Sequence, residues 1–461
     1  MSILRAYILP HPPLAVPEVG RGKERGIQKT LAAFDAAARE IAALAPETLV
    51  FVTPHNVMYA DYFHISPGGG AAGDLSRFGA PETRFETEYD AELAGEIAAL
   101  AEADGLRAGG LGEKDARLDH GVTVPMWFIN RRCTGYRTVR VSQSGLEPSA
   151  HYRLGQCIAR AAERLGRGTV LIASGDLSHK LSPDAPYGFA EEGAVFDKAV
   201  TQALSAGDFL SLLSLSEDLR ERAAECGYNS CVTLAGCFDR RRVEASLLSY
   251  EGPFGVGYAA AAFAPGEPDE SRDVLELYEA AALAEARRRQ NGEDPYRALA
   301  RLSLEHTVRT GKPPELPDGL PEEMRKTRAG TFVSLHKHGR LRGCIGTIAP
   351  VTACVGAEII QNAVSAGLHD SRFEPVEAAE LPYLSYKVDI LSAPEPVSGL
   401  SGLDAKRYGV IVSAGGRRGL LLPNLDGVDT VEEQVAIARR KAGIPENAPV
   451  KLERFEVTRH E

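Results

Sequence analysis

Two apolar runs near the start of the chain end in the dipeptide Pro-His, and together they constrain the fold of the first half. Ile8-Leu9-Pro10-His11 is followed at once by Pro12-Pro13, and Leu49 to Val52 runs through Thr53-Pro54 into His55. Each reads as a buried strand, β-branched or aromatic, stopped by a proline that cannot continue a ladder. Between them, Gly22 to Leu44 has the spacing of an amphipathic helix ended by Pro46. Strand, helix and strand in such short compass is the pattern of a parallel βαβ unit. Open α/β sheets place their ligands outside the strand carboxyl ends. His11 and His55 therefore fall where two imidazoles can converge on one metal ion.

The same context recurs downstream. Thr169 to Ser174 is a strongly apolar strand leading into Gly175-Asp176-Leu177-Ser178-His179, and His120 sits in Asp119-His120-Gly121 ahead of another apolar run. Gly68 to Thr83 reads as a loop, without the lysine and spacing of a phosphate-binding loop. Helices are expected over 88–103, 150–165, most of 191–215 and 230–239. Strands are expected over 138–142, 242–250 and 255–263. Pro265, Gly266 and Pro268 mark a linker. The expected division is a first domain at 1–265, a linker and helix at 266–285 and a second domain at 286–461. In the second part, strands and helices alternate less regularly: helices 295–310, 351–366 and 430–442 stand among strands at 330–336, 384–391 and 451–457, with a hairpin over 408–422. The fold class that follows is α/β, a mixed central sheet with helices on both faces, plus an α+β second domain.

At 461 residues the chain can build two or three cores. No run approaches the roughly 20 apolar residues needed to span a bilayer. The absence of a basic-then-apolar N-terminal segment makes the cytoplasm the expected location. Seven cysteines without regular spacing do not form a disulfide framework. Cys226, Cys231 and Cys237, at spacings of five and six, fall on different helix faces and read as free buried thiols. The net charge of −11 is uneven: from Arg287 onward 25 Lys and Arg face 23 Asp and Glu, so the preceding part carries −13. An acidic first domain speaks against nucleic acid as its partner.

The segments ILPHPP, FVTPH, LDHGVTVP, SGDLSHK and ECGYNS, in that order over residues 1–265, resemble the LigB-like class III extradiol dioxygenases. The resemblance implies a non-haem Fe(II) site that opens a catechol-type aromatic ring with dioxygen. His11 and His55 match its metal-binding histidines, His179 its catalytic acid/base and His120 its other active-site histidine. Glu225 falls near its metal-binding glutamate. Two histidines and one carboxylate on one face of Fe(II) leave positions for substrate and dioxygen. The related MEMO-like proteins use a cysteine before a glycine at this step, and Cys226-Gly227 offers that pair. Glu225 and Cys226 thus compete as third ligand; ligand hardness favours Glu225 with Fe(II), whereas a thiolate suits zinc or copper.

LRGCIG, NAVSAGLHDSRFEPV, YGVIVS, RRGLLLP and KAGIP, over residues 286–461, closely resemble the AMMECR-one domain family, whose activity is unsettled. Arg342 beside Cys344 would favour thiolate, making Cys344 a candidate nucleophile with His369 or Asp370 as helper. The alternative is a packed small residue in a tight turn, with Arg342 pairing a carboxylate such as Asp370. The pair of domains resembles the fusion of the AmmeMemoRadiSam system, which implies MEMO-like and radical-SAM proteins as partners; a homo-oligomer is the expected assembly. Two other functions stay open: a metal-binding scaffold without oxygenase turnover, and a metal-dependent hydrolase or modification component.

Overall fold

A computed structural model describes residues 2–425 and 427–461. The chain forms two compact units, Met1–Glu279 and Ala280–Glu461. No helix among the described residues is long and apolar enough to cross a membrane.

The first unit is built on a six-stranded sheet. Its strands lie in the order Arg137–Ser142, Thr48–Thr53, Thr169–Ser174, Ile3–Leu9, Tyr258–Pro268 and Arg241–Glu251. The first four run parallel and the last two antiparallel. All six residues of Thr48–Thr53 and of Thr169–Ser174 are buried, because helices cover both faces. Alternation then sorts side chains into two cores. Ala6, Ile8, Val50, Val52, Leu171 and Ala173 join one with the helices Ala91–Ala103, Pro148–Leu165, Glu191–Ala206 and Tyr228–Gly236. Tyr7, Leu9, Leu49, Phe51, Val170 and Ile172 join the other with the helices Gln28–Leu44 and His120–Ile129. Phe34 and Phe128 stack there with centroids 4.2 Å apart.

The parallel strands all end at one edge, and the loops that follow meet there. Residues 68–83, expected as a loop, instead belong to a hairpin of Gly70–Leu75 and Ala80–Glu88. Its first strand is half exposed and opens Gly-Ala-Ala-Gly, so it lacks the β-branched and aromatic alternation that marks a strand.

The second unit is α+β. One antiparallel sheet has the order Arg340–Gly346, Thr331–Lys337, Leu384–Leu391 and Val457–His460; the other runs Glu395–Val397, Lys451–Phe455, Gly409–Ala414 and Arg417–Leu421. Gly343 of LRGCIG is required by contact: a Cβ there would lie 2.0 Å from the carbonyl oxygen of Ala366 in the helix Val355–Leu368.

One close approach matters for the site. A Cβ on Gly175, just past its strand, would stand 2.1 Å from the Cα of Gly227 at the start of the helix Tyr228–Gly236. Two backbones touch with nothing between them. Gly175→Ala is expected to lower stability by roughly 1–3 kcal/mol through overpacking, read by urea unfolding followed at Trp127, the chain's one tryptophan. An unchanged midpoint would contradict this packing.

Candidate metal centre

Each Pro-His strand end delivers its imidazole to the same point. His11 is held from behind: its N–H donates to Asp176 Oδ1 at 2.9 Å, and its Nδ1 pairs with Ser174 Oγ at 2.9 Å. That leaves Nε2 facing forward, 2.8 Å from His55 Nε2. Cys226 Sγ lies 3.6 Å from His11 Nε2 and accepts the N–H of Asp176 at 3.3 Å. The ligand atoms of His11, His55 and Cys226 all fall within 4.8 Å of one another, with His11 buried, Cys226 half-buried and His55 exposed. Bonds of about 2.05 Å to nitrogen and 2.3 Å to sulfur in a tetrahedral site place two nitrogens about 3.3 Å apart and a nitrogen and sulfur about 3.5 Å apart. The thiol therefore stands at co-ligand spacing from His11, and the two imidazoles need part by only about 0.5 Å. This donor set fits a metal ion.

Glu225, the carboxylate preferred on hardness, is not in this cluster. Its Oε2 accepts the N–H of Tyr228 at 2.6 Å and caps the first turn of the helix Tyr228–Gly236. Neighbouring side chains here point different ways because the peptide between them is clamped. The N–H groups of Cys226 and Gly227 both donate to the carbonyl of Asp176, at 3.3 and 2.9 Å, and the Gln143 side chain donates to the carbonyl of Cys226 at 2.9 Å. Ala224, in the left-handed region at φ 52°, turns the chain just before. Cys226 is thereby aimed at the histidines and Glu225 away from them.

His120 is brought in, its ring stacked on His55 with centroids 3.9 Å apart and 5.1 Å from that of His11. The His179 ring packs edge-on to Tyr187, and its side chain meets the backbone of Ala224 and Leu177. All four imidazoles are driven toward the neutral form. Burial lowers His11 well below the ordinary range, helped by the fields of His55, His120 and His179. His120 is pushed down to about 3 by burial, then by His55 and Arg77; burial lowers His179, and partial desolvation lowers the more open His55 against the pull of Asp119. Neutral imidazole is the form that binds metal. Burial raises the Cys226 thiol well above its usual value, with Asp176 adding to the effect. A bound cation would reverse that balance, since a coordinating thiol is deprotonated.

A cleft of about 370 Å³ opens beside the cluster, lined among others by His55, Val57, Arg77, Phe78, Lys114 and His120. Its loop 111–119 is held by the buried guanidinium of Arg140, which donates to the carbonyl of Arg117 at 2.6 Å, to Glu113 at 3.1 Å and to Ser66 Oγ at 2.7 Å. Asp176, Arg140 and Gln143 escaped the reading of the sequence. Only Asp176 carried a signal there, its place between a strand end and His179.

In the second unit Arg342 does not serve Cys344. Its guanidinium is held by Glu380, at 2.8 and 3.0 Å, and by the carbonyl of Glu374. Asp370 pairs with Arg372 at 2.6 Å and accepts the backbone N–H of Cys344 at 2.9 Å. The Cys344 thiol takes the Ser334 hydroxyl at 3.2 Å, and His369 is exposed. Arg342→Ala is therefore expected to leave the iodoacetamide alkylation rate of Cys344 within about twofold of the unmodified chain; a tenfold fall would show that Arg342 activates the thiol.

Comparison with known proteins agrees with this architecture. Residues 5–261 match the family described as the catalytic LigB subunit of aromatic ring-opening dioxygenase, and residues 297–460 match the family described as AMMECR1. A protein of Clostridium acetobutylicum is 41% identical over 469 aligned positions, covering 100% of this chain and 99% of that one. A Thermotoga maritima protein is 53% identical over 171 residues, 37% of this chain and 98% of its own. Among solved structures, an uncharacterized Pyrococcus horikoshii protein aligns at 30% identity with a TM-score of 0.34, covering 36% of this chain and 88% of that one. An uncharacterized Escherichia coli protein aligns at 14% identity with a TM-score of 0.38, covering 56% and 99%. By its sequence match over more than half its length, the chain belongs to the LigB family, with an AMMECR1 domain following in the same polypeptide.

Proposed function

We propose that the first unit holds one metal ion between His11 Nε2, His55 Nε2 and Cys226 Sγ, and that there it opens an electron-rich aromatic diol with dioxygen. The observation that carries this reading is the convergence of three ligand atoms beside a cleft that His55 and the neutral His120 line. When bound, Fe(II) supplies the redox chemistry and the open positions that such a reaction needs. The protein's own groups do the rest. His179, held toward the neutral form by burial, is the base that takes a proton from a diol hydroxyl and later returns it. His120, stacked on His55, lines the cleft as a second neutral imidazole, and the Phe78 ring, 5.2 Å from it, offers an aromatic wall. Ser174 and Asp176 hold His11 so that Nε2 is the nitrogen presented.

A second reading, a metal-binding scaffold without turnover, is favoured by one feature: the third donor in reach is a thiol and not the carboxylate of Glu225. Thiolate is softer and suits zinc or copper(I) as well as iron.

One experiment separates the two. After anaerobic loading with Fe(II), oxygen uptake is followed with a panel of catechols, and bound metal is measured in Cys226→Ala and Glu225→Gln. Uptake that depends on the catechol is expected, with metal affinity falling at least tenfold in Cys226→Ala and holding within about twofold in Glu225→Gln. Stoichiometric metal with no oxygen consumed by any catechol would leave the scaffold reading.

A further inference from the structure

The His179 imidazole meets the backbone of Ala224 and Leu177, and the segment that carries it is itself fixed on several sides. The Leu177 N–H donates to the carbonyl of Gly257, and the Gly257 N–H donates back to the carbonyl of Ser178, both at 2.8 Å. The His179 N–H reaches the carbonyl of Ala223 at 3.1 Å. The Ser178 hydroxyl donates to that same carbonyl at 2.9 Å and accepts the N–H of Lys180 at 3.0 Å. The Ser178 N–H, the remaining donor, goes to a carboxylate: Asp197 Oδ1, at 2.8 Å.

Asp197 lies on the helix Glu191–Ala206, and its side chain is buried. Its other oxygen, Oδ2, accepts the phenol of Tyr250 at 2.7 Å. No Cβ fits at Gly257, because it would stand 2.0 Å from that oxygen. Burying a carboxylate to satisfy one peptide N–H and one phenol is expensive, and burial raises its pKa to about 6. A serine could serve as acceptor at lower desolvation cost. A carboxylate gives shorter and stronger charge-assisted bonds, which hold a loop to a single position.

We infer that Asp197, steadied by Tyr250, is the positioning residue that fixes where the His179 imidazole stands against the metal centre. This deepens the reading of His179 as the proton-handling group and rests on it. Asp197 touches neither metal nor substrate, so its effect passes through the loop.

The test uses the full chain loaded with Fe(II), and three variants. Asp197→Asn keeps an oxygen for the Ser178 N–H, Tyr250→Phe removes only the phenol, and Asp197→Ala removes both bonds. Catechol-dependent oxygen uptake is expected to fall at least tenfold in kcat for Asp197→Ala with KM and metal content unchanged, to fall about threefold in Tyr250→Phe, and to be largely restored in Asp197→Asn. Independently of turnover, the His179 ring resonance in histidine-labelled protein should shift in Asp197→Ala, while that of exposed His306 stays put. An unmoved His179 resonance in folded Asp197→Ala overturns the inference. So does a variant whose loss tracks metal content or folding alone. A shifted resonance in a protein whose parent consumes no oxygen would sustain the brace and refute the ring-opening reading.

Discussion

The peptide and carboxylate of Asp176 join three chain segments that are far apart in sequence. Oδ1 receives the N–H of His11, the backbone N–H approaches Cys226 Sγ, and the carbonyl receives the N–H groups of Cys226 and Gly227. One residue thus sets the spacing of two of the three candidate ligands. That is possible only because Gly175 and Gly227 bring their backbones into direct contact. A side chain at either place would push the thiol out of reach of the imidazoles. Desolvation raises the Asp176 carboxyl to about 7, so the brace works in a place where charge is held reluctantly.

The rest of the site follows from what the sheet does with its parallel strands. Strands buried on both faces end together, and prolines stop two of them just before a histidine. The imidazoles arrive crowded and desolvated, which keeps them neutral and leaves their lone pairs for a cation. Around this cluster a ring of fixed groups holds loops, not ligands. Arg140 holds the loop that ends at His120, Gln143 the peptide of Cys226, and Asp197 the segment of His179. The cost of burying these polar groups is offset in part by the hydrogen bonds they make to the loops they hold.

Much of this was legible in the chain before folding. The βαβ pattern and the two Pro-His strand ends follow from local periodicity and from where proline ends a strand; His179 showed as a residue just past an apolar strand, whereas His120, which opens a helix, was singled out by its Asp-His-Gly turn and the family resemblance. The choice between Glu225 and Cys226 does not. Two adjacent residues differ only in which way a peptide faces, and that is decided by Asp176 and Gln143, distant in sequence, together with the left-handed turn at Ala224. The hairpin at 70–88 was hidden for another reason: its Gly- and Ala-rich strand gains its place from pairing, not from burial. Arg342 misled because sequence adjacency to Cys344 says nothing of Glu380, its actual partner.

The central claim is that a thiolate, and not a carboxylate, completes the metal centre. X-ray absorption at the metal edge of the loaded protein measures this most directly. One sulfur scatterer at about 2.3 Å with two imidazoles is the expected shell, lost on Cys226→Ser. A shell of nitrogen and oxygen only, unchanged by Cys226→Ser and altered by Glu225→Gln, would contradict the account.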